Sequence, residues 1–372
     1  MPPPPRPRPG YRGDVHGEYK VPGGKLVTVD LDVRDGLLAD VRLSGDFFLE
    51  PDDALEVIDA ALVGLPRETS TSELARAVDD GLRIAEQDGR VTGSVTMVGF
   101  DAWAVAVAVR RALGLATTWD NHTFEVLRPG PLPPATLAAL DQVLTEELAE
   151  GRRGPTLRFW DWNERAVFIG SFQSLRNEVD PAGVREHDVT VVRRISGGGA
   201  MFMEAGNCVT FSLVVPASLV DGLSFEQSYA FLDSWVLGAL HDVGVEAYFS
   251  GMNDVASPAG KLAGSAQKRL AGGAVLHHMT MAYDIDNAKM LEVLRIGREK
   301  LSDKGTTSAN KRVDPLRSQT GMSRDEIVDA FEAHFKAHHR TVDSELRPDE
   351  LARAEELVRS KFADPAWINR VP

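Results

Sequence analysis

Arg193-Arg194-Ile195-Ser196-Gly197-Gly198-Gly199-Ala200 is the segment whose reading decides the fold. An apolar strand over 189–194 runs into two guanidinium groups and then three consecutive glycines, which give up side-chain packing and add chain entropy. Such a stretch lets a ligand lie directly against backbone amides, with arginines ready for a phosphate. A flexible hairpin turn with surface arginines accounts for the same composition, and the residues alone favour neither. A second segment, Asn253-Asp254-Val255 followed by Gly260-Lys261-Leu262-Ala263-Gly264-Ser265-Ala266-Gln267-Lys268-Arg269, also departs from core patterning. Asp254 is a carboxylate suited to Mg²⁺, a short loop from a lysine flanked by small residues. A solvated basic loop explains this segment at least as well. Neither segment fits the Walker A pattern, and no GxGxxG follows a strand, so ordinary P-loop and Rossmann nucleotide sites are disfavoured.

Outward from these segments, strands are expected over 123–127, 156–160, 167–170, 189–194, 209–215 and 274–285, the last carrying Leu276-His277-His278-Met279-Thr280. Leu137, Leu140, Leu144 and Leu148 mark an amphipathic helix, as do residues 224–243, and Ser323 with Glu326 forms a capping box. Strands and helices do not alternate regularly, which predicts an antiparallel or mixed sheet flanked by helices in an α+β fold. Towards the N-terminus, Val27, Val29, Leu31 and Val33 alternate with polar residues, Asp35-Gly36 reverses the chain, and Leu37, Ala39, Val41 and Leu43 repeat the pattern. That is a β-hairpin with one buried face. Helices follow behind Pro51, Asp52 and Asp53 (Leu55, Ile58, Leu62), behind the Ser70/Glu73 capping box, and over 102–113. The expected organisation is a proline-rich disordered tail over 1–15, a small α+β domain over 16–118 and a larger domain over 119–372.

The 372 residues are 43% apolar and 26% charged, within the range of soluble globular proteins. A formal net charge of −14 makes nucleic acid a poor partner. One cysteine, Cys208, excludes an intramolecular disulfide and cysteine-rich zinc sites, and fits a reducing compartment, so the cytoplasm is expected. The first ten residues have no apolar core and cannot act as a secretory signal, and no apolar run approaches the roughly 18 residues that cross a bilayer. No membrane partner is expected.

Taken together, the two unusual segments resemble the lipoate-protein ligase A family. The resemblance rests on Arg193 to Gly199 with Gly206-Asn207, on Asn253-Asp254-Val255 and on the run from Gly260 to Gln267. Supporting matches are Leu276-His277-His278, Lys304-Gly305, Arg312-Val313 and Phe168-Ile169-Gly170-Ser171-Phe172-Gln173. It covers about residues 122–372, while Val21-Pro22-Gly23-Gly24-Lys25 and Ser44-Gly45-Asp46-Phe47-Phe48 look like the family's accessory domain, here placed first instead of last.

The resemblance implies a mixed or antiparallel sheet of the biotinyl/lipoyl ligase type. It also implies a two-step reaction. Lipoate, or octanoate, attacks the α-phosphate of ATP to give an acyl-adenylate and pyrophosphate. A carrier lysine then displaces AMP. The carriers implied are lipoyl domains of 2-oxo acid dehydrogenase acyltransferases or the glycine cleavage H protein. Lys261 is the implied catalytic residue. Arg194, Ser196, Gly197, Gly198, Gly199, Asn207, Gly264, Ser265, His278 and Thr280 are implied at the substrate, with Arg194 on the phosphate side. Arg193, Asn253 and Asp254 are implied at ATP, with Asp254 holding Mg²⁺.

Met203-Glu204 stand where the family usually has His and Asp, and Met279 stands where glycine is common. The rival within the superfamily is an octanoyl transferase working through a cysteine thioester without ATP. A catalytically silent lipoyl-domain binder is the rival from another class. His334 and His338 have zinc-ligand spacing but read as a solvated helix face, Cys208 reads as a small buried thiol, and Phe159, Trp160 and Trp162 read as core.

Overall fold

The computed structural model describes residues 15–21, 23–295 and 315–371. The expected tail up to residue 14, Pro22, and the Lys304-Gly305 and Arg312-Val313 matches lie outside the described residues. Val15, expected in that tail, instead opens the first strand. Packing divides the chain into two units, one formed by the chain up to Thr118 with Ser218–Ser224, the other by Trp119–Ala217 and the chain from Phe225 onward.

In the first unit, β1 (Val15–Lys20), β2 (Leu26–Arg34) and β3 (Leu37–Gly45) form an antiparallel sheet, and β4 (Phe48–Glu50) pairs with β5 (Thr96–Val98). Helices α1 (Ala54–Leu62), α2 (Thr71–Asp88) and α3 (Ala102–Ala112) complete it. Asp35 and Gly36 both have positive φ, 53° and 78°, as the tight hairpin requires. The expected alternation fails after the turn: Leu38, Val41 and Leu43 are buried, while Leu37 is 42% exposed. The register shifts between Asp30 and Asp32, and Asp40 opposite takes φ 48°, so a bulge moves the buried set by one residue. Leu55 likewise yields the core position to Ala54. The Ser70/Glu73 capping box forms as expected.

The second unit begins with β6 (Phe124–Leu127), β7 (Pro131–Leu132), α4 (Pro134–Ala149), β8 (Thr156–Phe159), β9 (Asp161–Trp162) and β10 (Ala166–Ile169). Next come α5 (Leu175–Glu178), α6 (Pro181–Glu186), β11 (Thr190–Arg193), β12 (Met201–Met203), β13 (Cys208–Pro216) and α7 (Phe225–Asp242). Then follow β14 (Tyr248–Ser250), β15 (Asp254–Ser257), β16 (Gly260–Arg269), β17 (Ala274–Ala282), α8 (Asn287–Val293) and α9 (Leu316–Thr320). The chain closes with α10 (Arg324–His338), β18 (Thr341–Ser344), α11 (Pro348–Leu357) and α12 (Pro365–Ile368).

An eight-stranded mixed sheet runs β14-β15-β16-β17-β13-β8-β6-β18, antiparallel except for the parallel pairs β8–β6 and β6–β18. A smaller sheet, β11-β10-β12, carries the Arg193–Gly199 segment between β11 and β12. The core joins Leu137, Leu140 and Leu144 of α4 to Trp160, Trp162, Phe168, Ile195, Met203 and Cys208. Leu148 is only partly buried at its margin. Segment 253–269, equally readable as a basic loop, forms strands β15 and β16, and β17 stops at Ala282, short of residue 285. No helix among the described residues is long and apolar enough to cross a membrane.

At the end of α10, His339 stacks on Trp119 and lies tilted against Phe335, with ring centroids 4.5 Å away in each case. Both its ring nitrogens are buried without a hydrogen-bond partner among the described residues. Burial, with smaller contributions from His338 and His334 against Asp120, pulls its pKa from 6.5 down to about 4. Between those two values the unfolded chain therefore binds a proton that the folded protein refuses, and His339 destabilises the fold as pH falls through that window. His339→Phe is expected to keep the aromatic stack and remove this penalty. Thermal melts of both proteins at pH 7 and pH 4.5 check it: the variant should lose less stability on acidification, and parallel losses would contradict the assignment.

Candidate active site

Strand pleating sorts the candidate residues before any chemistry is invoked, because successive side chains on a strand point to opposite faces. On β17, His278 lies opposite Ser212 of β13 and Ala266 of β16, and Ser212 lies opposite Arg158 of β8. One rung further along, Thr280 lies between Thr210 and Gly264, and Gly264 faces Asp254 of β15. His278, Thr280, Gly264 and Asp254 thus share one face of the large sheet.

A bulge at Val255/Ala256 brings Lys261 opposite Ala256. Its Nζ lies 2.8 Å from Asp254 Oδ1, with the lysine side chain 35% exposed. Gly264 floors this ion pair: a Cβ there would sit 3.5 Å from both Asp254 Oδ1 and Lys261 Nζ. Thr210 Oγ1 donates to Thr280 Oγ1 at 3.0 Å on the adjoining rung.

Ser265 is not part of this face. One residue after Gly264, its hydroxyl donates to Asp233 Oδ2 of α7 at 2.7 Å, and His277 Nε2 meets the other Asp233 oxygen at 2.6 Å. The structure therefore places Ser265 in the packing of α7, against its expected place beside the substrate. Asn253 braces the same strand: its Nδ2 donates to Ser265 O at 2.6 Å and its carbonyl accepts from Ser265 N at 2.8 Å.

The two arginines ahead of the glycines are fully engaged. Arg193 donates to the carbonyls of Gly170, Gln173, Ile368 and Val371, tying β11 to the turn after β10 and to the C-terminal helix. Arg194 donates to the carbonyls of Phe168, Gly197 and Gly199 and, through Nε at 3.1 Å, to Ser196 Oγ. Burial lowers its pKa to about 10. Arg194 thus holds the glycine segment from behind and Arg193 holds the turn after β10, where a phosphate-facing role was expected for Arg194 and an ATP contact for Arg193. Gly170 supports the same turn, since a Cβ there would come within 2.2 Å of Gly198 O. Gly198 itself has φ +90°, and a Cβ on Gly197 or Gly199 would meet nothing within 4 Å among the described residues.

Behind Ser196 lies a buried polar chain that sequence reasoning missed. Ser196 Oγ is 2.7 Å from His278 Nε2, and His278 Nδ1 is 2.8 Å from Asp141 Oδ2 on α4. Asp141 Oδ1 accepts from Arg158 at 2.7 Å and from Ser212 Oγ at 2.5 Å, and Ser212 accepts from Trp160 Nε1 at 2.7 Å. Burial alone would raise the Asp141 carboxyl, but His278, Arg158 and Ser212 together hold it below its ordinary value. His278 is lowered by burial, which outweighs Asp141. The carboxylate has no proton to give, so His278 donates through Nδ1 and accepts the Ser196 hydroxyl at Nε2. The sequence did contain a signal: Asp141 falls four residues after Leu137 and three before Leu144, an acid on the apolar stripe of α4.

Asn207 stands elsewhere. Its side-chain oxygen accepts from Glu204 N at 2.8 Å, and its carbonyl accepts from the amides of Tyr283 and Asp284 at 3.0 Å each. It borders a polar cavity of about 600 Å³ at the Ala166/Met203 end of the small sheet, whereas the glycines follow the Ile169/Arg193 end. Of the residues that depart from the family pattern, Met203 is buried in the core, and Glu204 accepts from Arg165 at 2.8 Å and Lys289 at 2.6 Å. Cys208 is 1% exposed, and burial pushes its thiol up to about 12. Phe159, Trp160 and Trp162 are core residues, as expected. His334 and His338 stack at 4.2 Å, with His334 on Asp242.

Comparison with known proteins agrees with this architecture. Residues 133–336 match the family model of the lipoyl protein ligase A/B catalytic domain. Octanoyltransferase LipM of Geobacillus kaustophilus is 27% identical over 276 residues, covering 66% of this chain and 98% of that protein. The probable lipoate-protein ligase A of Mycoplasma pneumoniae is 34% identical over 231 residues, covering 62% of this chain and 66% of that protein. Among solved structures, a bipartite lipoate protein ligase from Thermoplasma acidophilum superposes with a TM-score of 0.59 at 26% identity, covering 68% of this chain and 98% of that one. The chain belongs to the lipoyl protein ligase A/B catalytic domain family.

Proposed function

We propose that the chain is an ATP-dependent lipoate-protein ligase. The observation that carries this reading is the Lys261–Asp254 pair, held over Gly264 on the face that also presents His278 and Thr280. When lipoate attacks the α-phosphate of ATP, negative charge builds on the transferring phosphoryl group, and a preorganised ammonium stabilises it far better than water does. The same Lys261 suits the acyl carbonyl when a carrier lysine displaces AMP. Asp254 aims Lys261, and with the amide oxygen of Asn253 it offers the hard oxygen donors that fit Mg²⁺, whose coordination phosphate oxygens and water would complete. When bound, the ion neutralises phosphate charge.

A second reading, octanoyl transfer between carriers without ATP, is favoured by the names of the LipM relatives. In its cysteine-thioester form it needs a reactive thiolate. The chain contains one cysteine, and Cys208 is buried with its thiol raised to about 12. The reading proposed here takes lipoate or octanoate as the acid and a lipoyl-domain or H-protein lysine as acceptor, in the cytoplasm. The first unit serves as an accessory domain. The Thermoplasma structure, whose description pairs a ligase with its E2 lipoyl domain, supports that choice of partner.

Lys261→Met keeps chain length and deletes the charge, so it is expected to lower lipoyl-adenylate formation at least about a hundredfold. Mass spectrometry after incubation with ATP, Mg²⁺ and lipoate reads this directly, and near-normal adenylate from a folded variant would remove the centre of the mechanism. Cys208→Ser, in contrast, should leave adenylate formation and carrier modification within a few-fold of the starting protein. Loss of carrier modification in a folded Cys208→Ser protein would instead establish the cysteine transferase.

A further inference from the structure

Ser196, His278 and Asp141 come from three separate elements: the glycine segment, β17 and α4. Their atoms meet in the order hydroxyl, imidazole, carboxylate, at 2.7 Å and 2.8 Å. That is the constellation by which a serine is made nucleophilic, and such triads are identified by geometry and roles, whatever their order in the chain. From this geometry we infer that Ser196, His278 and Asp141 form an acyl-transfer triad, giving the protein an ATP-independent activity in which Ser196 carries an acyl group taken from a thioester.

Each member has the environment its role requires. Asp141 is fixed by Arg158 and Ser212, so it stays ionised and sets the tautomer of His278. His278 Nε2 is left as the proton acceptor. Arg194 Nε, 3.1 Å from Ser196 Oγ, places a cation beside the hydroxyl oxygen, where it favours loss of the proton to His278 and the later departure of Oγ from the ester. Ser196 is buried, but a Cβ on the next residue, Gly197, would meet nothing within 4 Å among the described residues, and an apolar acyl chain can approach along that backbone.

In the first step Oγ attacks the thioester carbonyl carbon while its proton passes to His278 Nε2. The C–S bond then breaks, and the departing thiolate takes that proton, leaving an ester on Ser196 and a free thiol. In the second step a lysine amine attacks the ester and gives its proton to Nε2. The C–Oγ bond breaks, Oγ recovers the proton, and the acyl group leaves as an amide. No oxidant, reductant or nucleotide is consumed. Such a step accommodates the kinship with octanoyltransferases in a chain whose only thiol is buried.

The test uses the full-length protein and octanoyl-N-acetylcysteamine, a simple thioester, without ATP or acceptor. Intact-mass and peptide mass spectrometry should show one octanoyl adduct on Ser196. It should persist in Cys208→Ser, vanish in Ser196→Ala and form at least about a hundredfold more slowly in Asp141→Asn. Because Asp141→Asn risks misfolding, Ser196→Cys provides an independent check: its adduct should become a thioester, cleaved by neutral hydroxylamine where the ester resists. A cooperatively melting protein that takes up no octanoyl group, or takes it up on Cys208, overturns the inference. In a parallel incubation with ATP, Mg²⁺ and lipoate, adenylate from a protein that forms no adduct sinks the triad and leaves the ligase reading intact, whereas the adduct from a protein that forms no adenylate supports the triad and sinks the ligase reading.

Discussion

The ionised carboxylate of Asp141, enclosed between α4 and the large sheet, is the constraint on which the site depends. A buried charge of this kind is tolerated only when its partners are in place, and removing one of them from such a pair costs about 3–5 kcal/mol. Here Arg158, Ser212 and His278 supply those partners from β8, β13 and β17, three adjacent strands. The carboxylate therefore fixes the distance of α4 from the sheet and the orientation of the imidazole together. Through His278 the constraint reaches Ser196, and through Arg194 it reaches the carbonyls of Gly197 and Gly199. A segment with three glycines has little conformational preference of its own. It acquires a defined path because Arg194 holds the carbonyls of Gly197 and Gly199.

The opposite face of the sheet repeats this arrangement on a smaller scale. Asp233 of α7 gathers Ser265 and His277, the neighbours in sequence of Gly264 and His278. Two adjacent residues on each of β16 and β17 thus divide the work: Ser265 and His277 secure α7, while Gly264 and His278 lie on the other face. The bulge in β15–β16 then allows Lys261, near the start of its strand, to reach back to Asp254. With the buried carboxylates serving as anchors, the Lys261–Asp254 pair is partly exposed, its side chains 35% and 20% accessible.

Much of this was legible in the sequence, in physically intelligible proportions. Glycine runs, an Asn-Asp pair and a lysine among small residues announce chemistry because they are poor at packing, and Lys261, Asp254 and Gly264 do assemble; His278 and Thr280, which share their face, were implied by the family resemblance alone. Helix caps at Ser70 and Ser323 were readable because capping is local. Pleat-dependent facts were not. The side on which Ser265 lies follows from register, and the bulges at Asp40 and Val255 follow from cross-strand pairing that no short window contains. The family resemblance implied the phosphate for Arg194 and ATP for Arg193, but carbonyls distant in sequence claim both. Asp141 was missed for the same reason, although its place on an apolar helical stripe signals that something buried must pair with it.

The central claim is that the Lys261 face activates a free carboxylic acid on ATP before any carrier is involved. Lipoate-dependent exchange of labelled pyrophosphate into ATP tests it most directly, because exchange requires the adenylate to form reversibly within the site. Label should enter ATP only when lipoate or octanoate is present, with no carrier protein in the mixture. Absence of exchange, in a preparation that still passes octanoyl groups from an acylated carrier to an acceptor lysine without ATP, would contradict it.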